Sequence, residues 1–172
     1  MKTHMTKEHI FSNPTITQFD KSDIQPLSDI GLCQFIPYVL IEVIGHWNNR
    51  LQYPLRDNDL TNIKARILAV LSFYSGATIN ELSSYTVIEQ STISRALDSL
   101  ESQGFINRIA DKNDGRVRRI FISGDGQKAF TQSWPAIDNN TNILMKNISQ
   151  KEKQSFLKTL NKMQQNMNPT QQ

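Results

Sequence analysis

The sequence has few of the residues that catalysis, metal binding and disulfide frameworks require. Cys33 is the single cysteine, and only three histidines occur among 172 residues. An intramolecular disulfide framework is therefore excluded, and a reducing compartment, by default the cytoplasm, is expected. His46 lies thirteen positions after Cys33, which is a poor spacing for a nucleophile pair, and the sequence has no glycine-rich phosphate loop. It predicts a protein that is not an enzyme and that binds neither a metal nor a cofactor.

Long apolar runs are also lacking. The strongest run, residues 35–44, is interrupted by Pro37 and Glu42 and is shorter than the ~20 residues that a membrane helix needs. Residues 1–30 contain no apolar core of a secretory signal, and we expect them to form a disordered polar arm, with residues 168–172 as a frayed tail. The formal net charge of +3 does not separate a nucleic-acid binder from other proteins, so the position of the charges matters more than their sum.

Apolar residues recur at three- and four-residue spacing along much of the chain, which predicts helices. The four predicted helices of the first two thirds span residues 32–55, 61–74, 79–84 and 90–103. Pro54 is expected to end the first of them, Thr78 to cap the third and Gly104 to end the fourth.

The helical pattern returns after Gly124. Pro135 predicts a kink or a break in the helix that begins there. Ser149 and Glu152 have the spacing of a capping box, which predicts the start of a last helix.

A hairpin is predicted between these two groups of helices. Residues 105–110 and 118–123 are strand-like and are separated by a polar turn. A basic hairpin turn can place a guanidinium in the narrow, electronegative minor groove of DNA. A solvated turn is the alternative, and the clustering of positive charge argues against it. The basic residues in and next to this turn are Lys112, Arg116, Arg118 and Arg119.

The predicted helix 90–103 has one apolar side and one polar side. Short hydrogen-bonding side chains and an arginine near a helix N-terminus suit the reading of base edges in the major groove. Amphipathic helix pairs also occur in proteins that bind no DNA, and Asp98 would repel phosphate unless Arg95 or another cation neutralises it. The basic hairpin that follows is what favours DNA binding. The candidate base-reading residues are Gln90, Ser91, Thr92, Ser94 and Arg95.

These segments resemble the MarR family of bacterial regulators. The resemblance rests on the predicted reading helix, on its exit of leucine, acidic residue, two variable residues, glycine and hydrophobic residue at 100–105, and on an Asp-x-Arg motif formed by Asp114 and Arg116. Agreement in order and spacing extends over roughly residues 32–167.

The resemblance implies a mainly α fold with a small β-hairpin wing, in which a winged helix-turn-helix lobe joins a helical dimerisation region. It implies a homodimer that binds a palindromic DNA operator as a transcriptional repressor. Asp114 would position the wing and Arg116 would enter the minor groove. Gly115 stands where an arginine is frequent in the family, so the wing tip has one charge less. The expected segments are a polar arm (1–30), a dimerisation helix (31–57), the DNA-binding lobe (58–124), two dimerisation helices (125–167) and the tail (168–172).

Many similar proteins respond to small phenolic or aromatic carboxylate ligands. An arginine on the first two helices could pair with such a carboxylate through its planar fork. Trp47 could equally be a core residue, and the arginines could be surface charges or interface ion pairs. The candidate ligand residues are His46, Trp47, Arg50 and Arg66.

Two other functions compete with ligand-controlled DNA binding. Redox sensing through Cys33 is one, but this cysteine lies about one helical turn before the sensing cysteine of the peroxide-responsive members and is expected to be a small buried hydrophobe. A winged-helix module for protein–protein interaction is the other. It should expose apolar residues on helix 90–103, where this chain has Ser, Thr and Arg.

Overall fold

The computed structural model describes residues 27–167, which form seven α-helices and one antiparallel hairpin. A 3-10 turn, Leu32–Gln34, separates the first two helices. Within the described residues, no helix is long and apolar enough to cross a membrane. The elements are α1 (Leu27–Ile30), α2 (Ile36–Arg56), α3 (Asn62–Phe73), α4 (Ile79–Thr86), α5 (Gln90–Ser102), β1 (Ile106–Ala110), β2 (Arg118–Ile122), α6 (Gly124–Leu144) and α7 (Gln150–Met167).

The predicted arm and tail fall mostly outside the described part of the chain. Residues 1–26 and 168–172 are not described, and the last four residues of the predicted arm form α1. The chain divides into two compact units between Val43 and Ile44, inside α2. The second unit contains the buried core and the sites described below.

Helix ends follow the expected capping chemistry. Thr78 accepts a hydrogen bond from the backbone N–H of Glu81, whose carboxylate accepts one from the N–H of Thr78 in return. Ser149 and Glu152 make the same reciprocal pair before α7. The capping predictions are therefore confirmed, because each side chain satisfies a backbone group that the helix leaves unpaired.

The structure corrects three expectations. α2 continues through Pro54 to Arg56 instead of ending there, and α6 continues through Pro135 without the break that was one of the two alternatives for this proline. Buried residues of α6 lie on both sides of that proline, Ser133 before it and Asn140 after it, so packing holds both halves in one helix. Cys33 is exposed rather than buried, because the 3-10 turn that contains it buries none of its residues.

One apolar core joins the helix-turn-helix pair to the hairpin. Helices α3, α4 and α5 each contribute fully buried side chains, and Ile120 of β2 packs among them. The hairpin pairs Ile106 with Ile122 and Arg108 with Ile120. Ile120 also forms a bridge to Ala77 in the loop between α3 and α4. The base of the hairpin is thus fixed to the helical lobe, and its turn projects beyond it.

The junction between β2 and α6 depends on a close backbone approach. Ser123 caps α6 by accepting from Gly126 N at 3.0 Å, and its own backbone N–H donates to Phe105 O at 2.9 Å. A Cβ added at Gly126 would lie 2.1 Å from that carbonyl oxygen, whereas one at Gly124 would meet no heavy atom within 4 Å. Only glycine fits at position 126.

Gly126→Ala should therefore destabilise the protein, by about 1–3 kcal/mol, because the new methyl group must push apart two backbone segments. Gly124→Ala is the matched control in the same helical turn, and it should leave stability unchanged or raise it by up to ~1 kcal/mol. Urea denaturation followed by circular dichroism measures both. Equal effects of the two substitutions would show that the approach of Phe105 to α6 is not tight.

Candidate nucleic-acid interface and cavity

The burial of one side of α5 determines which side faces solvent. Ile93, Leu97 and Leu100 have no solvent exposure. Gln90, Ser91 and Arg95, which the sequence predicted as base-reading residues, are exposed, and the other two, Thr92 and Ser94, are half-buried. A side chain must be free of the core to reach a base edge, so Arg95 has the required freedom.

The acidic residue on the exposed side of α5 is compensated by the hairpin. The Arg108 guanidinium lies 2.6 Å from the carboxylate of Asp98, and its Nε lies 3.4 Å from that of Glu101. The sequence suggested Arg95 or another cation for this role, and the partner is Arg108, because β1 packs beside α5. Surface ion pairs contribute little to stability, but this one removes the repulsion that Asp98 would exert on phosphate.

Two aspartates organise the hairpin turn. Asp111 accepts from the backbone N–H groups of Asn113 at 2.8 Å and Asp114 at 3.3 Å. Asp114 in turn accepts from Arg116 N at 2.9 Å. The backbone closes the turn with bonds from Val117 N to Asp114 O and from Asp111 N to Val117 O, both 2.9 Å. Asp114 thus lies where it can order the turn, as the resemblance implies, and Asp111 adds a second anchor.

The hairpin has, besides the paired Arg108 of β1, three arginines in or next to its turn, and of these one is paired and two are free within the described residues. Arg119 forms an ion pair with Asp111 and donates to Gly76 O at 3.1 Å, so it connects the wing to the loop before α4. Within residues 27–167, the exposed side chains of Arg116 and Arg118 have no hydrogen-bond or ionic partner. These two guanidinium groups are available to an external anion, and that of Arg119 is already engaged.

The same contacts shift proton affinities. The backbone N–H of Asn113, followed by the Arg119 guanidinium, lowers the pKa of Asp111 below its usual value. Asp111 raises the pKa of Arg119 in return. The pKa of Glu81 is lowered by its bonds to the backbone N–H and hydroxyl of Thr78, with a smaller effect from Arg119. These contacts therefore favour the ionised forms of Asp111 and Arg119.

A cavity of about 180 Å³ lies between α2, α3 and α6. Its walls are mainly apolar and aromatic, with two asparagines and one arginine as the polar members. The lining residues are Trp47, Asn48, Leu51, Leu55, Asn62, Ala65, Arg66, Ala69, Phe130, Trp134 and Ile137.

Of the four candidate ligand residues, two line the cavity and two lie outside it. Trp47 and Arg66 line the cavity, whereas His46 is exposed and does not. Arg50 is also outside it. Its Nε donates to Asn140 Oδ1 at 3.0 Å, and Asn140 donates to the backbone oxygen of Trp47 at 3.0 Å, so Arg50 holds α2 against α6.

Comparisons with known proteins agree with this geometry. A family model described as "MarR family" matches residues 58–117. The crystal structure of a MarR-family transcriptional regulator from Silicibacter pomeroyi is 33% identical, has a TM-score of 0.78, and matches over 86% of this chain and 100% of that one. The HTH-type transcriptional repressor IacR of Pseudomonas putida is 25% identical over 120 residues, 70% of this chain and 65% of that protein. Bordetella bronchiseptica BpsR, whose DNA binding is regulated by 6-hydroxynicotinic acid, has the same fold (TM-score 0.68, 18% identity, 75% of this chain and 98% of that one).

The lowered pKa of Asp111 predicts a dependence of stability on acid. The ionised carboxylate of Asp111 contributes its full share of the folding free energy above the unfolded-state pKa of about 3.9. This contribution is lost as the pH falls through the lower pKa of the folded state. Asp111→Asn should therefore lose less stability between neutral and strongly acidic pH than the parent does. Some acid sensitivity should remain, because the pKa values of Glu81 and Glu152 are lowered as well. Urea denaturation over a pH series measures this difference, and identical pH dependence in both proteins would contradict it.

Proposed function

Because the chain belongs to the MarR family of transcriptional regulators, we propose that it is a repressor that binds a palindromic operator as a homodimer and is released by a small aromatic carboxylate. The observation that carries the DNA-binding part is that both elements that could enter the grooves have exposed arginines without a partner among residues 27–167. They are Arg95 on α5 and Arg116 with Arg118 on the wing. Each is held on a backbone that the core or the wing turn fixes.

In this proposal α5 lies in the major groove, and Gln90, Ser91 and Arg95 read base edges from its first turns. The wing then follows the adjacent minor groove, where Arg116 meets the stronger negative potential. Arg118 lies beside it on β2 and binds phosphate. Arg119 and Asp111 hold the wing in position and do not contact DNA themselves.

Dimerisation is supported by apolar side chains that are left exposed. Helix α7 has no buried residue, and Phe156 and Leu157 on it are 47% and 58% exposed. On α2, Ile36 and Ile41 are 60% and 72% exposed. Apolar surface of this extent on two helices is typical of an interface, and a two-fold axis would let the same surfaces cover one another.

The cavity supports the effector part of the proposal. Arg66 is the one cation among its lining residues, so Arg66 rather than Arg50 is the proposed partner of the carboxylate. Its Nη1 donates to Thr86 O, at the last residue of α4, at 3.2 Å. A carboxylate that binds this guanidinium would compete with the Thr86 carbonyl for it. Thr86 is the last residue of α4, and the turn that follows leads into α5. Binding in the cavity could in this way change how the reading helix is held.

The regulation of BpsR by 6-hydroxynicotinic acid, an aromatic carboxylate, supports the same chemistry. A protein–protein module has less support, because the exposed side of α5 is polar.

The DNA contacts can be tested by comparing two arginine variants. Arg95→Ala should change which operator sequences bind and should cost roughly 1–3 kcal/mol per half-site if the side chain reads a base. Arg116→Ala should weaken DNA binding with less change in which operator sequences are preferred. Arg56→Ala, an equal loss of charge at the end of α2, is the control. Fluorescence anisotropy with the DNA upstream of the gene measures all three, and parental affinity in both test variants would show that helix and wing are wrongly assigned.

Regulation can be tested by calorimetry with benzoate- and cinnamate-type acids. Binding to the free protein should saturate and should weaken when operator is present, because the coupling between two ligands is reciprocal. Arg66→Gln should reduce this binding, and Arg50→Gln should affect it less. Equal affinity with and without operator would rule out the mechanism. A response to inducer that is lost in Cys33→Ser would instead indicate redox sensing.

A further inference from the structure

Aspartate followed directly by glycine occurs twice in the sequence, at Asp114–Gly115 and at Asp125–Gly126. In such a pair the backbone nitrogen of the glycine can attack the side-chain carboxyl carbon of the aspartate, because glycine has no Cβ to hinder the approach. The product is a cyclic imide. The sequence does not distinguish the two pairs, whereas the structure places them in opposite surroundings.

The pair Asp125–Gly126 is protected by a helix. It lies in the first turn of α6, where the backbone N–H of Gly126 donates to Ser123 Oγ at 3.0 Å. Gly126 is buried, and even one added Cβ atom would lie 2.1 Å from Phe105 O. Ring closure would need this amide to leave its hydrogen bond and the backbone to turn, so α6 must first open locally.

The pair Asp114–Gly115 lies in the turn of the wing and has no such protection. Both residues are exposed, and a Cβ added at Gly115 would meet no heavy atom within 4 Å. Within residues 27–167, the backbone N–H of Gly115 donates to no acceptor, so the attacking nitrogen is free. The Asp114 carboxylate accepts one exposed hydrogen bond, from Arg116 N at 2.9 Å, which it must release to react.

We propose that Asp114–Gly115 is a site of spontaneous isomerisation to isoaspartate, and that this reaction ends DNA binding by the wing. The Gly115 nitrogen forms a bond to Asp114 Cγ, a C–O bond of the carboxyl group breaks, and the amide proton leaves with the hydroxyl group as water. Water then adds back to the imide. Opening on the main-chain side leaves the chain linked through the aspartate side chain, whereas opening on the other side restores the parent. The net change is an isomerisation without change of mass, and it consumes no co-reactant.

Isomerisation removes the contacts that order the turn. Isoaspartate lengthens the main chain by one carbon and converts the carbonyl of Asp114 into a carboxylate. That carbonyl oxygen accepts from Val117 N at 2.9 Å and closes the turn, and the present side-chain carboxylate accepts from Arg116 N. Both acceptors move, so Arg116 loses the position that the minor groove requires. This consequence rests on the proposed function, whereas the isomerisation itself does not.

The first test measures the chemistry in the full chain. The protein is kept at neutral pH and physiological temperature for weeks, and peptide mapping with electron-transfer fragmentation then locates isoaspartate. It should be at least about tenfold more abundant at position 114 than at position 125, because α6 must open before its own pair reacts. Equal amounts at the two positions, or none at 114, would overturn the proposal.

A variant assigns the product to the glycine. Gly115→Ala adds a Cβ that hinders attack by the nitrogen but meets no atom of the fold within 4 Å. It should remove most of the isoaspartate at position 114, and an undiminished amount would contradict the proposed reaction. If this variant does not fold, as judged by circular dichroism, the comparison of the two positions in the parent still decides the proposal.

The second test measures the consequence by fluorescence anisotropy with operator DNA. After storage, the fraction of parent protein that binds should fall in proportion to its isoaspartate content, whereas stored Gly115→Ala should bind as its own fresh sample does. Full binding by isomerised parent protein would overturn the proposed loss of DNA binding. If fresh parent protein binds no operator, the proposed function fails instead, and the peptide map still decides whether Asp114 isomerises.

Discussion

The exposed face of α5 depends on the burial of its other face. Ile93, Leu97 and Leu100 lie in one core with side chains from α3, α4 and β2. Burial of each of these large apolar side chains contributes roughly 1.5–3 kcal/mol, which far exceeds any contribution that the exposed polar residues make to folding. Rotation of α5 about its axis would expose the apolar residues, so the polar residues are held towards solvent. The surface proposed to read DNA is in this sense a consequence of the core beneath it.

The wing is organised by charge rather than by burial. Asp111 is the centre of the turn, because it accepts from two backbone N–H groups and pairs with Arg119. Arg119 in turn reaches the Gly76 carbonyl in the loop before α4. The positive charge of the hairpin is therefore divided between two structural arginines, Arg108 and Arg119, and two that have no partner among residues 27–167. Arg108 neutralises Asp98 on α5.

Local signals in the sequence predicted most of the fold. The capping pairs and Gly104 act within a few residues of the helix ends that they determine, so they could be recognised from spacing alone. Pro135 does not break α6, because packing on both sides of it outweighs the local preference for a break. The pairing of Arg50 with Asn140, 90 residues apart, and the assembly of the cavity from three helices depend on tertiary contacts. No sequence spacing reports such contacts, and for this reason Asn48 and Asn62 were not predicted.

The central claim is that a two-fold dimer inserts α5 and the wing into adjacent grooves. Footprinting of the operator tests this claim most directly. Dimethyl sulfate should report two protected major-groove segments whose centres lie about 10 base pairs apart. Hydroxyl radicals should report minor-groove protection on the outer side of each segment, and this protection should disappear with Arg116→Ala while the major-groove protection remains. One unsymmetrical protected segment, or minor-groove protection that persists without Arg116, would contradict the account.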